Sequence, residues 1–436
     1  MGTATNAVLI TALGTGKYVP ISYHFTGRDA VGDVKTCFPS LAMWKLLDPH
    51  PKELWVLLTD EARHKWWGTF RLVASRLGVV NPREIPIKIG PQSDGREVFA
   101  PLAKALRERN LPPVVLDITF GFRMLPLAYL LTMTYIYGLK QPLVDKKDVF
   151  DQRPVSVYYG AREMPKNGAA PIVDLTPAFY LVDWFYAART FSHAGALGPF
   201  VEAWEANKSH SPSSRAVGEF GTTIRKLGHA LDNGLAIEVG KLAKDALQHI
   251  RELQEEDFIG NLEPVAHMLG RLQEGLEGLA FSSDKKILDQ EELQRELHGI
   301  RWYQLHNRPS LALAWSREWL INWVLWREGK TDAGRWLNYR EVRRPIEQLL
   351  GCLSNFMDDK KQKHGLNELQ REVGSLWKSI SGARNYYQHA GFADSPSRST
   401  IQVERMEQIL ADTRPIGLLR EGTEKCRATT QDPDEG

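Results

Sequence analysis

The feature that most constrains the fold is a change of hydrophobic period near residue 175. Before it, short continuous apolar runs alternate with helix-like segments. Ala7–Leu13, Leu54–Thr59 and Pro113–Ile118 are rich in Val, Ile and Leu and lack the in–out alternation of a half-solvated strand. Such runs are strands buried on both faces. Ile85–Ile89 is weaker, and its Pro86 suits a sheet edge. Ser156–Tyr159 reads as a late strand. Phe38–Leu47 and Val98–Arg109 read as helices between strands, and Met124–Tyr137 is apolar nearly all round, as a helix buried against a sheet would be. The pattern predicts a Rossmann-like α/β domain with a mainly parallel, doubly wound sheet.

From Leu175 onward the spacing is helical. A helix is expected over Ala178–Phe191, more helices follow a polar loop at 208–214, and Ser282–Asp284 breaks the run and caps the next helix. Ser310–Glu328 carries Trp315, Trp319, Trp323 and Trp326 on one stripe, which reads as core or dimer interface. The expected organisation is an α/β domain over 1–175, a helical connecting region over 176–294, a second all-α domain over 295–428, and a disordered polar tail over 429–436.

Composition narrows the function classes. A net charge of +2 over 436 residues is no polycation, so any nucleic-acid contact has to come from a local patch. Cys37, Cys352 and Cys426 form no CxxC pair, which argues against a disulfide scaffold or a Cys-rich zinc site. The apolar runs are too short for a signal peptide or a membrane span, so the expected location is the cytoplasm, with no membrane partner.

Ligands of open α/β sheets bind outside the C-terminal ends of the strands. Gly14-Thr15-Gly16-Lys17-Tyr18 follows the first strand directly. Its glycines let backbone N–H groups approach a phosphate, and Lys17 adds a cation. It is neither GxGxxG nor a Walker A loop, which weighs against a nucleotide-cofactor enzyme. Thr59-Asp60 follows a middle strand and either adds polar contacts to the same crevice or, through Asp60, caps the next helix. Asp117–Pro126 follows a later strand and puts Gly121, Phe122 and Arg123 at the start of a helix, a ready anion site.

Near the other end stands Arg384-Asn385-Tyr386-Tyr387-Gln388-His389. Arg forks onto phosphate oxygens and His exchanges a proton near neutral pH. A bend or helix end near Ala390-Gly391 would bring both tips to one surface, with Asn385 orienting either side chain. The same spacing recurs at Arg301–His306, where Trp302 follows the Arg and the setting is an aromatic helix, so that pair reads as structural. Arg335–Arg344 interleaves cations and aromatics and reads as a solvated helix face; Tyr386 and Tyr387 either stack on a base or pack.

In this order, LGTGKY, TDEA and DITFGFRMLP resemble the CARF sensor domain of CRISPR-associated ribonucleases, and Arg384–His389 followed by Ala390-Gly391 resembles the HEPN nuclease motif of the same proteins. The likeness covers most of 1–190 and about 295–395, and leaves about 200–290 unmatched. Phe120 stands where the family often has His, which counts against slow self-cleavage of the activator. The resemblance implies a homodimer or higher even oligomer with one two-fold pocket for a cyclic oligoadenylate, most simply cyclic tetra-adenylate. Gly14, Thr15, Gly16, Lys17, Thr59, Asp60, Gly121, Phe122 and Arg123 would then bind the activator. Arg384, Asn385 and His389 from both chains would cleave single-stranded RNA without a metal or cofactor. The contrasting reading is a non-catalytic sensor whose helical half binds nucleic acid or a protein.

Overall fold

The computed structural model describes residues 6–26, 32–90, 92–93, 96–121, 124–138, 155–165, 168–179, 181–207, 215–255, 263–282, 287–332, 334–358, 365–392 and 402–421. It divides into two compact units, Met1–Asp183 and Trp184–Gly436.

The first unit is built on an eight-stranded, mostly parallel sheet of order β3-β2-β8-β7-β6-β1-β4-β5. The strands are β1 (Val8–Ala12), β2 (Ile21–Phe25), β3 (Val34–Thr36), β4 (Glu53–Leu58), β5 (Arg83–Pro86), β6 (Val114–Asp117), β7 (Val155–Gly160) and β8 (Ala169–Asp174). β5, β4, β1, β6 and β7 run parallel, whereas β7/β8 and β2/β3 are antiparallel pairs. The apolar run of β1 is explained by burial on both faces. Ala7, Leu9 and Leu13 join a core with Phe38, Leu41 and Phe70, while Val8, Ile10 and Ala12 join a second core with Leu102 and Tyr129. The helices that supply these layers are α1 (Pro39–Leu46), α2 (Asp60–Ala62), α3 (Gly68–Arg76), α4 (Arg96–Glu108) and α5 (Met124–Gly138). A π-helical turn, Arg63–Trp67, joins α2 to α3.

Three strands lie outside the sequence reading. β2 has a mixed polar sequence, β3 has three residues, and β8 contains Pro171. The edge ladder also forms over Arg83–Pro86, slightly before the predicted Ile85–Ile89. Burial of α5 all round is corrected too. Leu127, Leu131 and Tyr135 are 61%, 60% and 53% exposed, a stripe at four-residue spacing. The opposite face, with Leu125, Tyr129, Met133 and Ile136, is what packs on the sheet.

The second unit is helical. Its segments are α6 (Leu181–Ala194, beginning in the first unit), α7 (Gly198–Asn207), α8 (Arg215–Asn233), α9 (Ala236–Glu255), α10 (Glu263–Glu277), α11 (Gln290–Leu305), α12 (Pro309–Arg327), α13 (Arg344–Phe356), α14 (Glu368–Gln388) and α15 (Val403–Leu410). One apolar core runs from Trp184 to Leu419, so helices on both sides of residue 290 share it. The tryptophan stripe of α12 is core. Trp315, Trp319 and Trp323 are buried, and their indole N–H groups donate to Gly234 O (2.8 Å), Leu293 O (3.0 Å) and Ile409 O (3.1 Å). The cap of α11 is Asp289, which accepts from Glu292 N at 2.8 Å, and not Ser282–Asp284. Cys37 is a free thiol and Cys352 is disulfide-bonded. Spacing along the chain says nothing of which thiols the fold brings within bonding distance. Among the described residues no helix is long and apolar enough to cross a membrane.

Candidate functional site

Strand order fixes where a ligand crevice can open. After β1 the chain forms β2 and β3 at the far edge, crosses to β4 and β5 on one side of β1, and then returns to β6 and β7 on the other. The reversal therefore lies between β1 and β6, and the loops after β1, β4, β6 and β7 share one rim. The β1 and β6 loops touch. A Cβ placed on Gly14 would stand 3.6 Å from Gly121 Cα. Gly121 has φ +124°, and a Cβ there would fall 2.9 Å from Leu125 Cδ1, so only glycine fits. Phe122 and Arg123 lie outside the described residues.

The backbone N–H groups of the first loop are not all free. Gly14 N donates to the Tyr18 hydroxyl at 2.8 Å, which removes it from the anion-binding set. Thr15 offers its carbonyl to Lys65 Nζ at 2.6 Å, and Gly16 and Lys17 are exposed. Thr59 is nearly buried and caps α2, accepting from Ala62 N at 3.3 Å, so its hydroxyl is already used. Asp60 occupies the first turn instead of the cap; it is exposed and stands 4.0 Å from Arg63.

Asp117 holds the floor of the crevice. It is fully buried and accepts from Thr11 Oγ1 (2.8 Å), Thr119 N (2.9 Å) and Thr119 Oγ1 (2.5 Å). Burial raises its pKa, and the Thr119 and Thr11 hydrogen bonds oppose the shift. Gly160 N donates to the same Thr119 hydroxyl at 2.8 Å, tying the end of β7 to that of β6.

Three residues that sequence reasoning missed stand at this rim. Lys65 and Trp66 come from the π-helical turn, and Arg162 follows β7. Trp66 packs edge-on to Tyr18 with centroids 4.9 Å apart; Phe38 and Phe120 complete the box around Tyr18 at 4.9 and 4.7 Å. Arg162 lies 5.5 Å from the Phe120 ring centroid. Burial pushes the Tyr18 phenol up to about 12, keeping it protonated. The one sequence signal was the cation–aromatic run Arg63-His64-Lys65-Trp66-Trp67. An aromatic box rimmed by Lys17, Lys65 and Arg162 suits a planar ligand that carries negative charge.

The second site is the end of α14. Asn367 starts the helix with a capping box, and Val373, Leu376, Trp377, Ile380 and Ala383 bury one face. The helix stays regular through Gln388 and ends at His389, so the break falls after the pair and not between its members. A five-residue step turns about 140° on a helix, so Arg384 and His389 leave on different sides. Ala390 (φ 50°) and Gly391 (φ 77°) reverse the chain, with Gly391 N donating to Tyr386 O at 2.9 Å. Asn385, Tyr387 and His389 are exposed.

Arg384 is half-buried and has no hydrogen bond or ion pair among the described residues. Burial first, then the nearby Arg317, lowers its pKa, while Glu318 and Glu347 raise it. Those carboxylates are engaged elsewhere. Arg317 pairs with both, Arg343 Nη2 donates to Glu318 at 2.8 Å, and Arg343 Nη1 donates to Asn322 Oδ1 at 2.6 Å. Among the described residues Arg384 is thus a guanidinium without a hydrogen-bond or ion-pair partner, in a neighbourhood that contains acids. Of the Arg335–Arg344 segment, Arg335, Arg340 and Arg344 are exposed, while Trp336 and Arg343 are buried; the solvated face is only part of it.

The other Arg–His pair is committed. Arg301 pairs with Glu407 at 2.6 Å, and His306 Nδ1 lies 2.6 Å from Trp302 O with its ring 4.2 Å from that indole. No protein-family model matches the chain, and no curated protein does.

Proposed function

We propose that this protein is a cyclic oligoadenylate-activated, metal-independent endoribonuclease that cleaves single-stranded RNA in type III CRISPR defence. The observation that carries the reading is the chemistry at the end of α14: Arg384, which has no hydrogen bond or ion pair among the described residues, and an exposed His389 five residues on. The activator occupies the switch-point crevice, where Lys17, Lys65 and Arg162 meet phosphates and the Tyr18 box accepts a base.

RNA brings its own nucleophile. The ribose 2′-hydroxyl attacks the adjacent phosphorus, the bond to the 5′-oxygen breaks, and a 2′,3′-cyclic phosphate and a 5′-hydroxyl result. One proton leaves the 2′-oxygen and one reaches the 5′-oxygen, which is work for an imidazole. Arg384 steadies the charge that builds on the phosphate oxygens. Because Arg384 and His389 diverge within one chain, two α14 ends related by a two-fold axis form the composite site, each copy supplying both groups. Asn385, next to Arg384, orients the phosphate or the imidazole.

The test is end-group analysis of RNA cut in EDTA with cyclic tetra-adenylate present. The expected products carry 2′,3′-cyclic phosphate and 5′-hydroxyl ends, and a DNA strand of the same sequence survives. A strict Mg²⁺ requirement or 5′-phosphate ends would mean that water attacks, and would overturn the mechanism.

A further inference from the structure

The crevice of the first unit contains two hydrogen-bond donors that the protein leaves unused. Tyr23, on β2, has 0% of its surface exposed, and its hydroxyl has no hydrogen-bond partner among the described residues. The indole Nε1 of Trp66 is likewise buried and unpartnered. Leaving a buried donor unmade costs free energy, so each one needs an explanation.

Both atoms belong to the site already described. The Tyr23 ring lies beside the Gly160–Thr119 corner, where a Cβ on Gly160 would come within 3.3 Å of Tyr23 Cε1 and of Thr119 Oγ1. Its hydroxyl lies within electrostatic reach of Arg162 and Asp117, as does that of Tyr18. Trp66 packs on Tyr18 directly. It is aimed there by the π-helical turn, which also brings Lys65 to Thr15 O. Insertions of this kind in a helix frequently mark functional sites.

We infer that the Tyr23 hydroxyl and the Trp66 indole N–H are the groups that read a nucleobase of the bound nucleotide. The inference rests on the reading of this crevice as a nucleotide site. The chemistry favours a base over a phosphate. Both donors are uncharged and buried among Tyr18, Phe38 and Phe120, where an anion would lose its hydration. A purine ring offers flat apolar faces to the aromatic walls and ring nitrogens that accept from O–H and N–H. The cations lie at the rim, where Lys17 and Lys65 are exposed, so phosphates stay outside and the base goes in.

The test pairs Tyr23→Phe and Trp66→Phe, which keep an aromatic ring and delete the donor. Binding of cyclic tetra-adenylate and of cyclic tetra-uridylate to the full chain is measured by calorimetry, alongside the melting temperature of the ligand-free protein. We expect each variant to bind the adenylate ring about tenfold more weakly and to lose most of its preference over the uridylate ring. The ligand-free Tyr23→Phe protein melts no lower than wild type, because its hydroxyl has no partner to lose. Lys17→Ala, in contrast, weakens both rings alike. Unchanged adenylate affinity in both variants overturns the inference, as does a lower melting temperature with equal loss for both rings, which would mark a structural role. Wild-type protein that binds neither ring overturns the nucleotide reading itself.

Discussion

Two helix ends in this molecule carry the same Arg–x4–His spacing and the same local geometry, yet the fold treats them in opposite ways. His306 ends α11 and His389 ends α14, and each is followed by a residue with positive φ, Asn307 at 56° and Ala390 at 50°. At the first, Arg301 is paired with Glu407 and His306 is half-buried against Trp302. Burial lowers the His306 pKa, so its neutral form is favoured. At the second, Arg384 has no hydrogen bond or ion pair among the described residues and His389 is exposed. A guanidinium that is half-buried and unpaired is poorly placed for stability and well placed for an incoming phosphate. Spacing nominates both pairs; tertiary commitment separates them.

The largest effect that can break this comparison is on the histidines. His389→Ala should lower RNA cleavage by about 10³-fold, the scale of lost acid–base catalysis. His306→Ala should leave the rate of the folded protein within about twofold and lower its melting temperature through lost packing on Trp302. The reverse pattern in a rate assay would exchange the assignments.

The arginines should follow with a smaller contrast. Arg384→Ala should cost about 10²-fold in cleavage. Arg384→Lys should recover only part of it, because an ammonium does not fork onto two oxygens. Arg301→Ala loses an exposed ion pair and should change stability by less than about 1 kcal/mol, read by denaturant titration.

In the other unit, Lys17→Ala should raise the activator concentration for half-maximal cleavage by about tenfold and leave the rate at saturation unchanged. Arg123→Ala should do the same. An unaltered activation curve in both variants would put the activator elsewhere.

The smallest effect concerns α11 itself. Glu296 is fully buried, with one carboxyl oxygen accepting from Asn322 Nδ2 at 2.7 Å and the other unpartnered. Burial first, then Glu292, pushes its pKa up from 4.5 to about 8, against the pull of Arg295, Asn322 and Arg343. The folded state therefore holds this proton between about pH 4.5 and 8 while the unfolded state releases it, so stability falls as pH rises through that window. Glu296→Gln should flatten this part of the stability–pH curve, measured by chemical denaturation. An unchanged slope would show that Glu296 is ionised in the folded protein.

What the sequence made legible follows burial. β1, β4 and β6 could be read because both faces are covered and every position is apolar. β2 and β8 could not, since Ser22, His24 and Pro171 disguise strands outside the parallel set. The approach of the Gly14 and Gly121 loops follows from strand order, which the apolar runs and their order suggest. Lys65, Trp66 and Arg162 reach the rim through a π-helical turn and a strand end; the run Arg63–Trp67 marks the turn as cationic and aromatic, but its spacing does not say where the side chains go. The capping role of Thr59 was hidden for the same reason: both Thr59 and Asp60 are good cap residues, and only the backbone decides between them. The two Arg–His pairs show the limit most plainly, because Glu407 lies about a hundred residues from Arg301 and no spacing rule reaches it.

The most direct test is the rate at which wild-type protein and His389→Ala cleave a labelled single-stranded RNA in EDTA, with and without cyclic tetra-adenylate. The account predicts rapid cleavage by the wild type only when the activator is present, and cleavage about 10³-fold slower by His389→Ala with the activator. Equal cleavage by a folded His389→Ala protein, or a wild type that the activator leaves inert, would contradict it.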